Sequence, residues 1–203
     1  MLASWLLTAV ARTVTTYTKP SQRVLLLQPA SYLTTSGRTW TQQHCYDGLH
    51  EAGWTVFRLG RGVQTRTAVT SAADLRECGP AESESGLDRY ELVLAAVDPD
   101  AVTRFHPSGW ADLLTPTGTL AVITRGARSG GRFVDPAAQI VRAVAHDAGL
   151  LYLDRIALLR EPLGDVLPGR SASVLHREVH DDLLVFGRPA ASARITEPVG
   201  DSR

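Results

Sequence analysis

The chain has 203 residues, 44% of them apolar and 21% charged, the balance of a globule with a real core and not of a disordered chain. Its 21 basic residues are matched by 21 acidic ones, which excludes a bulk electrostatic pull toward nucleic acid or anionic lipid and leaves any such attraction to local patches. The two cysteines, Cys45 and Cys78, lack metal-like spacing and read as reduced thiols, with a disulfide between them left open.

In chain order, Leu2, Leu6, Ala9, Val10, Thr13 and Tyr17 recur at helical spacing. No Lys or Arg precedes that run, so it predicts an amphipathic helix of the domain and not a secretion signal. No stretch is long enough to span a bilayer, which points to a cytoplasmic protein with no membrane partner. After a turn at 19–22, RVLLL (23–27) reads as a buried strand. A Ser/Thr-rich loop follows, then a predicted helix over 40–52, weakened by Gly48 and ended by Gly53. WTVFRL (54–59), rich in β-branched and aromatic residues, predicts the second strand. Residues 60–89 carry no clear period beyond a short helix over 71–77. A strand over 91–97, a short helix near 107–114, a Pro116-Thr117-Gly118 turn and a strand over 119–124 come next. VDPAAQIVRAVAHDAG is the best-punctuated element: Asp135 suits the N-cap, Pro136 the first helical position and Gly149 the residue past the end. Two strands close the domain, over 150–160 and 182–187.

Alternation of this kind predicts a largely parallel sheet covered on both faces, a Rossmann-like three-layer sandwich. The last two strands have no helix between them, so they are expected to pair antiparallel at one edge. Residues 1–189 form the predicted domain and 190–203 a disordered tail.

Several phrases resemble, in order, the class I S-adenosylmethionine-dependent methyltransferases, in particular the bacterial DNA methyltransferases that modify exocyclic amino groups. TYTKPSQRVLLLQP is similar to that family's approach to its first strand. YELVLAAVDPD resembles the strand bearing the Asp/Asn/Ser-Pro-Pro-aromatic catalytic motif. LLTPTGTLAVIT resembles the turn and strand after it, and HDDLLVFGRP the closing strand. The resemblance implies a methyltransferase-type sheet, S-adenosylmethionine as cofactor, Gln28 and Pro29 beside it, Arg58 at the end of the second strand, and Asp98 and Pro99 as the catalytic pair.

The chain departs from the family at those positions. No glycine follows the first strand before Gly37, and Gln28 replaces an acidic residue. The second strand is expected to end in a carboxylate that accepts bonds from ribose hydroxyls, yet Arg58 can only donate. Asp100 replaces the second proline and Ala101 the aromatic that would stack on a flipped base. These departures imply a methyltransferase-like protein serving as a binding or regulatory module. An active methyltransferase with an atypical pocket is the alternative.

Arg125-Gly-Ala-Arg128-Ser-Gly-Gly-Arg132 suggests an anion-binding loop past a strand end. With Arg58 and Arg61 it would edge one crevice, the two strands lying three ladder steps, roughly 14 Å, apart. That arrangement would suit a nucleic acid or nucleotide, and a protein partner is the other expectation. His176, Glu178 and His180 lack the zinc-protease order and read as a solvated approach to a strand. There is no Gly-x-Ser-x-Gly elbow, P-loop or Gly-x-Gly-x-x-Gly, which argues against common hydrolases and dehydrogenases.

Overall fold

The computed structural model describes residues 4–29, 46, 48–49, 51–68, 89–105, 107–129, 132–160 and 180–189. The helix expected over 71–77, most of the one over 40–52, both cysteines, His176, Glu178 and the expected tail lie outside them. Helix α1 (Ser4–Tyr17) forms on the predicted spacing and buries Leu6, Ala9, Val10, Thr13 and Val14. The Thr13 hydroxyl is satisfied by the Ala9 carbonyl at 2.8 Å, so burying that face leaves no polar group stranded.

Six strands make one sheet: β1 (Arg23–Pro29), β2 (Gly62–Ala68), β3 (Tyr90–Ala96), β4 (Leu114–Thr124), β7 (Leu151–Leu159) and β8 (His180–Gly187). They lie in the order β2-β1-β3-β4-β8-β7. The first four run parallel, and β8 is antiparallel to both β4 and β7. A two-stranded ribbon of β5 (Ala127–Ser129) and β6 (Arg132–Val134) stands apart. This is the expected Rossmann-like, methyltransferase-type architecture, with its antiparallel pair at one end.

Continuous apolar runs make the central strands because both faces are covered. One face packs Leu25, Leu27, Val93, Ala95, Leu120, Val122 and Phe186 against Ile140 and Val144 of α3 (Ala137–Asp147). The other packs Leu26, Leu94, Ala121 and Ile123 against Leu6, Val10 and Val14 of α1 and Val56 of α2 (Ala52–Arg58). Each fully buried leucine contributes about 1.5–3 kcal/mol relative to an exposed one.

Residues 54–59 correct the sequence reading. They are not a strand: α2 spans Ala52–Arg58, and β2 is the polar stretch GVQTRTA after it. The β-branched and aromatic residues favoured a strand locally. Helical spacing wins because Ala52 and Val56 share a buried face, while Trp54 and Phe57 are 66% and 59% exposed. Gly60 then takes φ +77°, a backbone state that favours glycine and stops the helix.

The helix expected near 107–114 is reduced to a single 3-10 turn over Ala111–Leu113. Another 3-10 helix, over Pro99–Arg104, was not legible in the sequence. The long helix is as expected: the Asp135 carboxylate accepts the Ala137 N–H at 2.9 Å, and Gly149 takes φ +64°.

Arg61 is also elsewhere than expected. It lies just before β2, at the amino edge of the sheet, and is buried. Its guanidinium donates to the Thr18 carbonyl at 2.9 Å, to the Thr18 hydroxyl at 3.3 Å and to the Leu59 carbonyl. It thus caps the ends of α1 and α2 at once, supplying donors to carbonyls that helix ends leave over.

Candidate functional site at the carboxyl edge

The connection from β1 to β2 runs through α2 on the face covered by α1. The connection from β3 to β4 runs through the 3-10 helices on the opposite face, where Val102 and Leu113 enter the core. Neighbouring crossovers on opposite faces leave a crevice between the carboxyl ends of β1 and β3, the switch point where open sheets of this class bind ligands. Gln28 and Pro29 end β1 there, and Asp98 stands two residues past β3. The structure therefore brings together Gln28, Pro29, Asp98 and Pro99, four of the residues singled out from sequence.

Asp98 is half-buried. The ladder holds it in place: Ala96 pairs with Ile123, and the Val97 N–H donates to the Ile123 carbonyl at 2.9 Å. Pro99 then opens the 3-10 helix, its fixed φ and missing N–H suiting a first helical position. The turn is a compact strand-to-helix junction. Phe105, the aromatic nearest in sequence, packs edge-to-face on Trp110 at 5.2 Å, beside the core cluster.

Arg58 is the clearest displacement. It is exposed in the last turn of α2, so it cannot occupy the end of the second strand, which is Ala68. Arg61, at the opposite edge, cannot join Arg125 either. Arg125 directly follows β4 at the carboxyl edge, and Arg128 and Arg132 fall on the β5–β6 ribbon rooted there. Arg128 pairs with Phe133 and Ser129 with Arg132.

Two groups at this edge were missed. Asp182 is the cross-strand partner of Thr124 and takes a bidentate pair from Arg155, at 3.0 and 2.8 Å. Arg155 also reaches Asp135 at 2.9 Å. The two carboxylates, Asp182 foremost, hold the guanidinium above its already high ordinary pKa against the opposing effect of burial. A sequence signal existed: Asp154-Arg155 interrupts an otherwise apolar strand, and a charge there needs a partner. The other group is Thr124, fully buried, whose Oγ1 has no hydrogen-bond partner among the described residues. Replacing that hydroxyl with a methyl removes a desolvation cost and no bond. Thr124→Val should therefore leave unfolding free energy unchanged or raise it by up to about 1 kcal/mol in urea titrations.

At the switch point the described side chains offer an amide at Gln28 and a carboxylate at Asp98. Both can accept bonds from hydroxyl or amino groups, which suits the polar ends of S-adenosylmethionine.

No family model matches the sequence, and no curated protein is similar to it. Solved structures do share its outline. A putative methyltransferase from Thermoplasma acidophilum is 10% identical with a TM-score of 0.43, over 85% of this chain and 70% of that one. A putative S-adenosylmethionine-dependent methyltransferase from Listeria monocytogenes is 12% identical with a TM-score of 0.40, over 91% of this chain and 99% of that one. Phosphoethanolamine N-methyltransferase 1 of Haemonchus contortus, solved with phosphoethanolamine and S-adenosylhomocysteine, is 10% identical with a TM-score of 0.43, over 91% of this chain and 41% of that one. Identity this low speaks only of fold, and the fold stands on the strand order alone.

Proposed function

We propose that this chain is a methyltransferase-like binding or regulatory module whose carboxyl-edge crevice does not methylate nucleic-acid bases. One observation carries the reading. Asp98-Pro99-Asp100-Ala101 passes straight into a 3-10 helix, and Phe105, the next ring in sequence, is taken up by Trp110. A flipped base needs an aromatic face against which to stack, and this junction offers none. Gln28 and Asp98 remain as acceptors for a ligand at the switch point.

The alternative is an active S-adenosylmethionine-dependent methyltransferase with an atypical pocket, in which Gln28 borders the cofactor and Asp98 orients the acceptor. Arg125, with Arg128 and Arg132 on the ribbon beyond it, supports a further variant of the module, one that holds a nucleotide or nucleic acid through its phosphates.

Thermal denaturation with S-adenosylmethionine and S-adenosylhomocysteine, beside a labelled-methyl assay on DNA, separates the readings. The module predicts no methyl incorporation. Incorporation that Asp98→Ala abolishes would overturn it. Stabilisation by the cofactor, about 2.7 kcal/mol at a hundredfold its dissociation constant, together with methyl transfer, would establish the alternative. Retention of DNA that weakens with salt, and is lost when Arg125, Arg128 and Arg132 become Ala together, would identify the phosphate-holding variant.

A further inference from the structure

Helix α2 buries Ala52, Gly53 and Val56 and turns its opposite side outward. Glu51, Trp54 and Arg58 stand in line on that outer side, three and then four residues apart. Glu51 belongs to the line because its backbone is already helical, with φ −64° and ψ −28°. Phe57 flanks the line and stacks on Trp54, the ring centres 5.6 Å apart. Trp54 is the most exposed large hydrophobic side chain among the described residues, and Glu51 and Arg58 are exposed as well. Two turns, about 10 Å, separate the two charges along the helix. Among the described residues neither makes a salt bridge or a side-chain hydrogen bond. An outward indole therefore lies between an anion and a cation that have no partners in their own subunit.

We propose that this face docks on the same face of a second copy of this chain, the two α2 helices running antiparallel about a two-fold axis. Charge complementarity selects the occupant. An axis crossing α2 midway between Glu51 and Arg58 sets Glu51 of each copy against Arg58 of the other, so both pairs form at once. The same axis brings Trp54 opposite Trp54 of the second copy, with Phe57 at its side, so that rings cover rings. Parallel packing would instead oppose Glu51 to Glu51 and Arg58 to Arg58. A nucleic acid would meet the carboxylate together with the guanidinium and gain no net attraction along this line. Reversed end to end, the face carries its own complement. The contact would cover on the order of 1,000 Å² over both copies, the lower bound for a specific interface. A weak dimer follows, with a dissociation constant in roughly the micromolar range or above.

Sedimentation or light scattering of the full chain, up to about 1 mM, tests this. The chain should dimerise, and less so as salt is raised. Glu51→Arg alone, or Arg58→Glu alone, should weaken self-association by at least about tenfold, because each sets like charges opposite one another twice. Both changes in one chain merely exchange the ends and should restore the dimer. Trp54→Ala, which removes an outward ring and leaves the core intact, should weaken association by at least about tenfold as well. Charge reversal at a helix end also alters the helix itself, so thermal unfolding of each variant is followed alongside. The restored double variant then assigns the losses to the interface. A chain that is monomeric at every concentration overturns the proposal. So does a dimer indifferent to Trp54→Ala or to both single reversals, or one that the double change fails to restore.

Discussion

Arg155→Ala should destabilise the fold by about 2–3 kcal/mol in urea unfolding, below the 3–5 kcal/mol of a fully buried pair because the guanidinium is partly solvated. The side chain of Arg155 is 40% exposed, and those of its partners are 7% exposed at Asp182 and 38% at Asp135. The cost falls mainly on Asp182, which would keep its charge in a site with little water. Asp135 can turn to solvent. Asp135→Ala should thus cost less, about 1 kcal/mol, chiefly through the lost N-cap on α3. A double-mutant cycle distinguishes these contributions. Changing Arg155 to Met and Asp182 to Val together should recover most of the loss, since no buried charge then lacks its partner. If Arg155→Ala instead unfolds like the native chain, the triad is a surface ornament.

Gly118→Ala is expected to cost about 2–3 kcal/mol, within the range for forcing extra volume into a packed core. A Cβ there would meet the Tyr90 carbonyl oxygen at 2.9 Å, the Leu114 Cβ at 3.0 Å and the Thr115 nitrogen at 3.0 Å. Two of these are backbone atoms, so no rotamer change relieves the contact. Tyr90 is itself pinned, its hydroxyl bonded to Gln64 and its ring under the Arg23 guanidinium at 4.9 Å. Gly62→Ala provides the control. Its Cβ would lie 3.5 Å from an Arg23 side-chain carbon and 3.9 Å from the Gln22 carbonyl, ordinary contacts, so its effect should stay within about 0.5 kcal/mol. Equal effects of the two substitutions, by thermal or urea unfolding, would show that backbone entropy and not the close approach decides.

The reason Gly118 has no room also shows what the sequence could carry. Pro116-Thr117-Gly118 reads locally as a turn before a strand. In the structure it is an irregular stretch inside an eleven-residue β4, because the register against β3 jumps from Tyr90–Leu114 to Leu92–Thr119. Strands buried on both faces were legible because nothing but apolar residues suits them. RVLLLQP and YELVLAA appear where they were expected, and so does the closing antiparallel pair. The other edge, β2, was not. β2 is polar and half-solvated, so GVQTRTA carries no burial signal, while WTVFRL has strand-like composition on a helix with one buried side.

That single exchange accounts for the misplaced part of the site. With the second strand set eight residues too early, Arg58 and Arg61 were assigned to its carboxyl end. Arg58 in fact ends a helix, and Arg61 sits at the strand's amino end. Positions anchored to buried strands, Gln28 on β1 and Asp98 past β3, lie at the carboxyl ends of neighbouring strands. The Asp135–Arg155–Asp182 chain was beyond reach for a different reason. Its three members come from separate elements, and only the sheet order makes them neighbours.

The clamp made by Arg61 has a consequence for how the molecule opens. A helix at the margin of a fold ordinarily opens on its own, far more often than the whole fold unfolds. Here the last turn of α1 is held by a guanidinium 43 residues away, which is 9% exposed and so has little water to replace Thr18. Peeling α1 away would take two of that cation's three acceptors, the Thr18 carbonyl and hydroxyl, and leave it the Leu59 carbonyl alone unless the turn into β2 loosens with it. The amino edge should accordingly open as one cooperative unit, with α1 and the turn into β2 released together.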